Sequence, residues 1–208
     1  MLLAVKDACQ LHPMALNYAM GEQIENLSDV IERTAADAKE FFDKNYVTKG
    51  MELLLSQGLK RLAGKSEQAV FELKQAMGGG KTHSMIALGL LARDAALRES
   101  VVPDLAKEAP FNEAKLVAIN GRMGFEETFL WGEIAIQLGK ESAFCKFWKD
   151  GPKAPSERDW LTLIGEEPTL ILLDELPPYF DYAVTRTVGA GTLAQVTTFA
   201  LSNLLSAS

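Results

Sequence analysis

The chain has 208 residues, of which 48% are apolar and 24% charged, and its formal net charge is −7. That length suits one good-sized domain, or a domain with an extension, of a soluble globular protein. The acidic balance excludes a general attraction to nucleic acid or anionic membranes and leaves only a local basic patch or an indirect contact.

The cysteine content and the apolar runs bear on the compartment. Cys9 and Cys145 are far apart in the chain and fit no metal-ligand spacing, so we expect reduced thiols in a cytoplasmic protein. The longest uncharged apolar run, "MIALGLLA", is too short to span a bilayer, and no membrane partner is expected.

The first 66 residues are predicted to be helical. "NLSDVIERTAADAKEFF" places its apolar residues on one helical face, with Asn26 as an N-cap. "TKGMELLLSQGLKRLAGK" has a second apolar stripe, which Thr48 can cap at its start and Gly64 can end. We therefore expect residues 1–66 to form an N-terminal helical extension.

From residue 67 onward, strands and helices are predicted to alternate. "QAVFELKQA" is a candidate strand, followed by a glycine run and a helix from about Lys81 to Arg98. "VVPDLAKEAPFNEA" is predicted to be a polar connection, "KLVAINGR" a second strand, and "ETFLWGEIAIQLGKESAFCKFW" a helix broken near Gly139. "DGPKAPSERD" is predicted to be a loop, "PTLILLDELPPYF" to begin with a third strand, and "GTLAQVTTFALSNLLSAS" to be a final helix.

This alternation predicts an α/β fold, with a parallel sheet that is covered by helices on both faces. Near-continuous apolar strands such as "LILLD" fit burial on both faces. We expect residues 67–208 to form the core of a P-loop NTPase that is incomplete at its C-terminus.

The glycine run is typical of a phosphate-binding loop. The backbone N–H groups of Gly78, Gly79 and Gly80 can curl around a phosphate because no Cβ stands in the way. The following helix points its positive end at the same anion. Lys81 supplies a charge to the β- and γ-phosphates, and Thr82 supplies a hydroxyl ligand for Mg²⁺.

The match to the G-x-x-x-x-G-K-[ST] pattern is imperfect, since Gln75 stands where the first glycine belongs. The alternative is a flexible turn before an ordinary core helix. His83 follows Thr82, and it either contacts the nucleotide or is a histidine satisfied within the helix N-terminus.

The third strand ends in two adjacent carboxylates, which strengthens the nucleotide hypothesis. In a P-loop protein a neighbouring strand delivers an acid to Mg²⁺, a role that fits Asp174, and Glu175 can polarise the attacking water. Asp174 is followed by Glu-Leu-Pro and not by the Asp-x-x-Gly pattern of a GTPase, so ATP is favoured over GTP.

Four segments carry a family resemblance: "FFDKNYVTKGMELLL", "GGGKTH", "LWGEIAIQLG" and "LILLDELPPY". In this order they resemble a family of AAA+ ATPases of phage-defence and methyltransferase gene neighbourhoods, similar to the ATPases of BREX-type systems. The resemblance implies a longer protein, with a sensor strand, an arginine finger and a lid outside this chain. It also implies protein partners or a homo-oligomer, so the chain is expected to be an N-terminal fragment.

Three functions remain open at this point. The first is a Mg²⁺-dependent ATPase in which Lys81 and Glu175 are catalytic; the second is a nucleotide-binding switch with slow turnover. The third is a helicase-type motor, although "VAINGR" lacks the expected DNA-contacting motif. Asn120 and Arg122 lie at the ligand-binding end of the second strand, where Arg122 contacts phosphate or a neighbouring subunit or is simply solvated.

Two residues of the second helix also have two interpretations. Trp131 and Glu133 either make a family-specific contact near the site or serve as a core residue and a surface charge.

Overall fold

The structure, a computed structural model, describes residues 26–74 and 80–208. Helices α1 to α6 of the N-terminal half span Asp29–Glu32, Ala35–Lys44, Lys49–Leu62, Lys81–Arg93, Ala95–Val101 and Pro103–Glu108. Strand β1 is Lys115–Asn120, and it is followed by helices α7 at Phe129–Gln137 and α8 at Glu141–Phe144. The remaining elements are α9 at Glu157–Ile164, β2 at Thr169–Asp174, α10 at Leu176–Thr185, β3 at Thr187–Val188, β4 at Gly191–Thr192 and α11 at Leu193–Ser206.

Strands β1 and β2 pair in parallel, with Lys115 opposite Thr169 and Asn120 opposite Asp174. The predicted α/β architecture and its parallel pairing are thereby confirmed, and the second and third predicted strands lie where the apolar runs placed them. Strands β3 and β4 form a separate antiparallel pair of two residues each.

The sheet separates two hydrophobic cores because successive side chains of a strand point to opposite faces. Leu172 of β2 and Ala118 of β1 belong to one core, whereas Val117 and Ile119 of β1 belong to the other. The expected helices on both faces of the sheet are therefore present.

The first of these, here called the aliphatic core, is built by helices α1 to α5. Its fully buried residues include Leu27, Val30, Leu55, Leu59, Ile86, Leu90 and Leu91. The second, here called the aromatic core, is built by the 3-10 turn at 145–147 and helices α7 to α11. Its buried rings are Phe129, Trp131, Phe144, Phe147, Trp160 and Tyr179.

The helix predicted over "NLSDVIERTAADAKEFF" is broken, which corrects the sequence prediction. Thr34 adopts an extended conformation, and its hydroxyl accepts a hydrogen bond from Asp37 N. The Asp37 carboxylate in turn accepts from Thr34 N at 2.9 Å. This capping box starts α2 anew, because the side chains satisfy the backbone N–H groups at a helix start.

The next helix is confirmed at both ends. Thr48 caps α3 by accepting from Met51 N, and Gly64 lies beyond the helix in the left-handed region with φ 68°. The apolar stripe that was predicted from the sequence faces the aliphatic core.

The strand predicted at "QAVFELKQA" is wrong over residues 68–74. No backbone ladder involves these residues, although Phe71 and Leu73 pack against the aliphatic core. The alternating pattern therefore placed the side chains correctly, but a strand also needs a partner strand, which neither β1 nor β2 provides. Gln75 and Ala76 lie outside the described residues.

Three further helix boundaries differ from the sequence prediction. The helix expected to reach Arg98 stops at Arg93, since Asp94 accepts from Leu97 N at 2.9 Å and starts α5. The expected polar connection contains α6, which has Pro103 at its first position. The loop expected over 150–159 ends early, because Ser156 caps α9.

Candidate functional site

The carboxyl ends of β1 and β2 and the N-terminal end of α4 meet at one edge of the sheet. The hydroxyl of Thr82 donates a hydrogen bond to Asp174 Oδ2 at 2.5 Å, across 92 residues of sequence. Thr82 lies in the first turn of α4, and Asp174 is the last residue of β2. The two residues predicted to ligate a metal are therefore in direct contact, and their roles stay predictions.

Helix α4 begins directly after a glycine in the left-handed conformation. Gly80 has φ 76° and ψ 24°, a left-handed conformation that favours glycine. Within the part of the chain that the structure describes, a Cβ built on Gly80 would have nothing within 4 Å. Lys81 is the first residue of a 13-residue helix, and the positive end of the helix dipole lies there. Gly78 and Gly79, predicted to hold phosphate, lie outside the described residues.

His83 contacts the N-terminal helical region. Its ring lies against the ring of Phe41 on α2, with centroids 4.6 Å apart. Phe41 is buried, so this contact ties α2 to the first turn of α4. Whether His83 also touches a nucleotide remains a prediction.

Glu175 has an unusual backbone conformation immediately after β2. Its φ is 50° and ψ 42°, a left-handed conformation that typically costs a non-glycine residue about 1–3 kcal/mol. Its N–H donates to Asp174 Oδ1 at 2.9 Å. The turn projects the two adjacent carboxylates from the end of the strand before α10 begins at Leu176.

The 3-10 turn Gly121–Met123, which follows β1, packs tightly on Glu175. A Cβ added to Gly121 would lie 2.3 Å from the Glu175 carbonyl oxygen, so the close approach requires glycine. Arg122 Nη2 lies 3.4 Å from Glu175 Oε2. Arg122 is thus paired with the candidate catalytic acid, and both side chains remain largely exposed.

Sequence reasoning found neither of these contacts. It considered a phosphate, a neighbouring subunit or solvent for Arg122, and it did not single out Gly121. The available signal was the parallel pairing of the two strands. Because their carboxyl ends lie at the same edge of the sheet, the residues after Asn120 come beside those after Asp174.

The segment before α1 is also joined to this turn. Asn120 Nδ2 donates to Asn26 Oδ1 at 3.1 Å, and Asn120 Oδ1 accepts from Arg122 N at 3.0 Å. The amide of Asn120 therefore links the N-terminal helical region to the turn that holds Glu175.

The hydrogen bonds of Trp131 and Glu133 are made with residues outside this cluster. Trp131 is buried in the aromatic core, and its indole N–H donates to the Phe147 carbonyl at 3.0 Å. Glu133 accepts from Gln137 Nε2 at 3.0 Å. Of the two interpretations given above for Trp131, core packing is the one that the structure supports.

Among the described residues, no group of three or more His, Cys, Asp and Glu side chains is placed to hold a metal ion. Within residues 26–74 and 80–208, no helix combines the length and apolar character that crossing a bilayer requires. Cys145 is a half-buried free thiol, and Cys9 lies outside the described part of the chain.

The family model of the DUF499 N-terminal domain matches residues 11–114, which is half of the chain. The chain belongs to the DUF499 family. The matched range includes helices α1 to α6 and the whole candidate phosphate loop, residues 78–82, and it ends just before β1. No curated protein and no solved structure matches the chain.

Proposed function

We propose that this DUF499 chain binds ATP with Mg²⁺ at the carboxyl edge of its sheet and hydrolyses it, as a P-loop ATPase of the AAA+ type. The 2.5 Å contact between Thr82 and Asp174 carries the proposal. This contact brings together the two sequence patterns, because Thr82 follows the glycine-rich loop and Asp174 is the first of the two acids at the end of the apolar strand. DUF499 is associated with ATPase-containing proteins generally, and this association also supports the proposed ATPase function.

The residues present fit a magnesium nucleotide. Mg²⁺ prefers oxygen ligands and is usually held by one or two carboxylates together with phosphates and waters. A hydroxyl and a carboxylate, from Thr82 and Asp174, are such a set. Gly80 and Lys81 lie at the positive end of α4, where an anion is favoured.

Each residue then has a defined task. Lys81 and the N-terminal end of α4 bind the phosphates, while Thr82 and Asp174 hold the metal. The metal, when bound, supplies charge neutralisation on the phosphate oxygens. Glu175 orients the attacking water and accepts its proton, and positioning with charge stabilisation provides most of the rate.

The cellular setting belongs to the same proposal. The family resemblance favours a cytoplasmic phage-defence or DNA-processing complex, in which the ATPase works with protein partners or as a homo-oligomer. Nucleic acid enters only indirectly, since the chain is acidic.

A second candidate is a nucleotide-binding switch with little turnover. The pairing of Glu175 with Arg122 favours it, because a carboxylate that is held by a guanidinium is less available to a water molecule. Nucleotide binding without phosphate release would distinguish this candidate from the ATPase.

The test measures ATP affinity by calorimetry and phosphate release on the whole chain with Mg²⁺. We expect Lys81→Ala to weaken binding at least about 10-fold, since it removes a charged phosphate ligand. We expect Glu175→Gln to keep binding and to lower turnover about 100-fold or more.

Two matched controls come from the same chain. Lys49 is the exposed first residue of α3, as Lys81 is the first residue of α4, and Lys49→Ala should change nothing. Glu166→Gln is the control for Glu175→Gln, because it alters an exposed acid just before the start of β2, at the opposite end of the strand. If the parent chain fails to bind ATP, or if both site variants behave like their controls, the proposed function is wrong.

A further inference from the structure

Residues 26–31, here called the N-terminal strap, connect the end of β1 with the C-terminal end of α4. Leu27 and Val30 are fully buried in the aliphatic core, so the strap is anchored along its length. The carbonyls of Val30 and Ile31 accept hydrogen bonds from Arg93 Nη1, both at 2.7 Å. Arg93 is the last residue of α4. The strap is therefore fastened to the helix that carries the proposed phosphate ligands.

The other end of the strap is fastened to the 3-10 turn that packs on Glu175. Asn26 Oδ1 accepts from Asn120 Nδ2 at 3.1 Å and from Ser28 N at 3.3 Å, so two donors orient it. The Ser28 hydroxyl donates to Met123 Sδ at 3.3 Å. The strap thus contacts the residue just before the turn and the last residue of the turn.

Asn120 connects the strap to the turn because its side-chain amide is used at both ends. Its Oδ1 accepts from Arg122 N at 3.0 Å, and its Nδ2 reaches Asn26. A side chain that accepts from the backbone N–H two residues ahead fixes the course of a turn. Alanine at position 120 would lose both hydrogen bonds, whereas alanine at position 26 would release only the strap.

The turn supports the strained backbone of Glu175. The left-handed conformation of Glu175, with φ 50°, persists only where the surrounding structure holds it. Gly121 supplies that support, since its backbone lies so close to the Glu175 carbonyl that a Cβ would not fit. A displaced turn would therefore let Glu175 relax, and its carboxylate would move.

We propose that the N-terminal strap holds the turn that positions Glu175, and that Asn120, through its bond to Asn26, is a positioning residue for ATP hydrolysis. The catalytic part of this inference rests on the proposed function. The strap joins α4, which carries Lys81 and Thr82, to the turn beside the catalytic acid. It therefore fixes these two parts of the site relative to each other, and a group already held in its reactive geometry needs no reorganisation during the reaction.

The experiment compares Asn26→Ala with Asn26→Asp in the whole chain, by phosphate release at varied ATP concentration with Mg²⁺. Asn26→Ala removes the acceptor of one hydrogen bond, so we expect kcat to fall about 3- to 10-fold. The phosphate ligands are unchanged, so KM should change by less than about 2-fold. Asn26→Asp keeps an acceptor oxygen and should stay within about 2-fold of the parent kcat.

Asn203 provides the matched control. Its Nδ2 also makes one half-buried contact, with the Pro155 carbonyl at 2.8 Å, on the side of the aromatic core. Asn203→Ala should leave kcat unchanged, whereas a merely structural role of Asn26 would make the two alanine variants alike. Asn26→Ala combined with Asn120→Ala should be no slower than Asn120→Ala alone, since both act through one bond.

Amide hydrogen exchange, followed by NMR without nucleotide, tests the strap independently of ATP. Asn26→Ala should speed the exchange of the Arg122 and Glu175 amides at least about 3-fold, and Asn203→Ala should not. Unchanged exchange would overturn the hold of the strap on the turn.

The kinetic outcomes separate this inference from the proposed function. A parent-like kcat in Asn26→Ala, or an equal loss in Asn26→Asp, would overturn the positioning role of Asn120 and leave the ATPase intact. If the parent chain releases no phosphate and neither does any variant, the proposed ATPase function is wrong and the positioning role fails with it. The exchange rates then still decide whether the strap fixes the turn.

Discussion

The two faces of the sheet are stabilised in different ways. In the aliphatic core, leucine and isoleucine side chains of α3 and α4 pack against one another, and the polar contacts lie at its border, where Arg93 and Arg98 donate to backbone carbonyls. In the aromatic core, the large rings are also held by polar contacts: the indole of Trp131 donates to the Phe147 carbonyl and that of Trp160 to the Ala200 carbonyl. The aliphatic core is thus defined mainly by helical periodicity, and the aromatic core by specific long-range contacts.

This difference has a consequence for the candidate site, which lies where the two faces meet. Thr82 belongs to α4 of the aliphatic side, and Glu175 leads into α10 of the aromatic side. Both cores must form for the acids and the phosphate loop to come together.

The largest expected effect distinguishes the two cores directly. Trp160 is fully buried, so Trp160→Ala should lower the free energy of unfolding by about 3–5 kcal/mol, through lost burial, a cavity and the lost hydrogen bond. Leu91→Ala in the aliphatic core should cost about 2–4 kcal/mol, from burial and cavity alone. Urea denaturation measures both values.

More conservative substitutions at the same two positions serve as controls. Trp160→Phe keeps a ring and loses the N–H donor, whereas Leu91→Met keeps the volume and should cost under about 1.5 kcal/mol. Two separate unfolding transitions, each affected by only one variant, would contradict a single cooperative unit.

An intermediate effect is expected at Arg98, a buried charge beside the aliphatic core. Its guanidinium donates to the carbonyls of Leu91, Phe111 and Asn112 and lies 3.8 Å from the centre of the Phe111 ring. Arg98→Met leaves these carbonyls without a donor, so we expect a loss of about 2–3 kcal/mol in urea denaturation.

The control for Arg98 is a half-buried arginine with a similar task. Arg93 donates to the carbonyls of Val30 and Ile31, both at 2.7 Å, where water can replace it more easily. Arg93→Met should therefore cost less than Arg98→Met. An equal or larger loss would show that burial does not determine the contribution of these arginines.

The smallest effect concerns three capping boxes. Thr34 with Asp37 lies on the side of the aliphatic core, Ser156 with Asp159 lies on the side of the aromatic core, and Thr192 with Gln195 contains no charged residue. Hydrogen bonds from the Thr34 side chain and backbone lower the pKa of Asp37. Burial acts to raise the pKa of Asp159, but the hydrogen bonds from Ser156 and the charge of Lys146 lower it overall. Gln195 makes the equivalent contact with Thr192 N at 2.9 Å and does not titrate.

Lowered carboxyl pKa values give the pH dependence its sign. The folded chain favours the ionised Asp37 and Asp159, so their contribution is present above the ordinary carboxyl pKa of about 3.9 and is lost as the pH falls through the lowered values. The difference in melting temperature between parent and Asp37→Asn should therefore shrink below about pH 4. For Gln195→Ala it should stay constant over the same range, and a constant difference for Asp37→Asn would contradict the argument.

Much of the fold could be predicted from local pattern. The apolar stripe and the caps of α3 follow from residues adjacent in sequence, as do β1 and β2 with their uncharged runs. The sequence prediction missed the helix breaks at Thr34 and Asp94. Each of these residues can cap a helix, but its side chain does so only where the backbone leaves the helical conformation, and the local pattern does not show that departure.

The residues of the candidate site also fall into two groups, those predicted from a local pattern and those brought together only by the fold. Lys81, Thr82, Asp174 and Glu175 were named from two short patterns, each carried by neighbouring residues. Arg122 was not assigned to Glu175, since the two belong to different patterns and meet only through the register of β1 and β2.

The sequence by itself determined the helical stripes, the two apolar strands and the residues able to hold a magnesium nucleotide, because periodicity, capping and residue chemistry act over a few neighbouring positions. Only the tertiary structure decided that residues 68–74 have no ladder partner among the described residues, that Gly121 and Arg122 pack on Glu175, and that the amide of Gln137 bonds to the outer edge of β1. Such outcomes depend on which distant backbone groups come within hydrogen-bonding distance, and no local pattern encodes that distance.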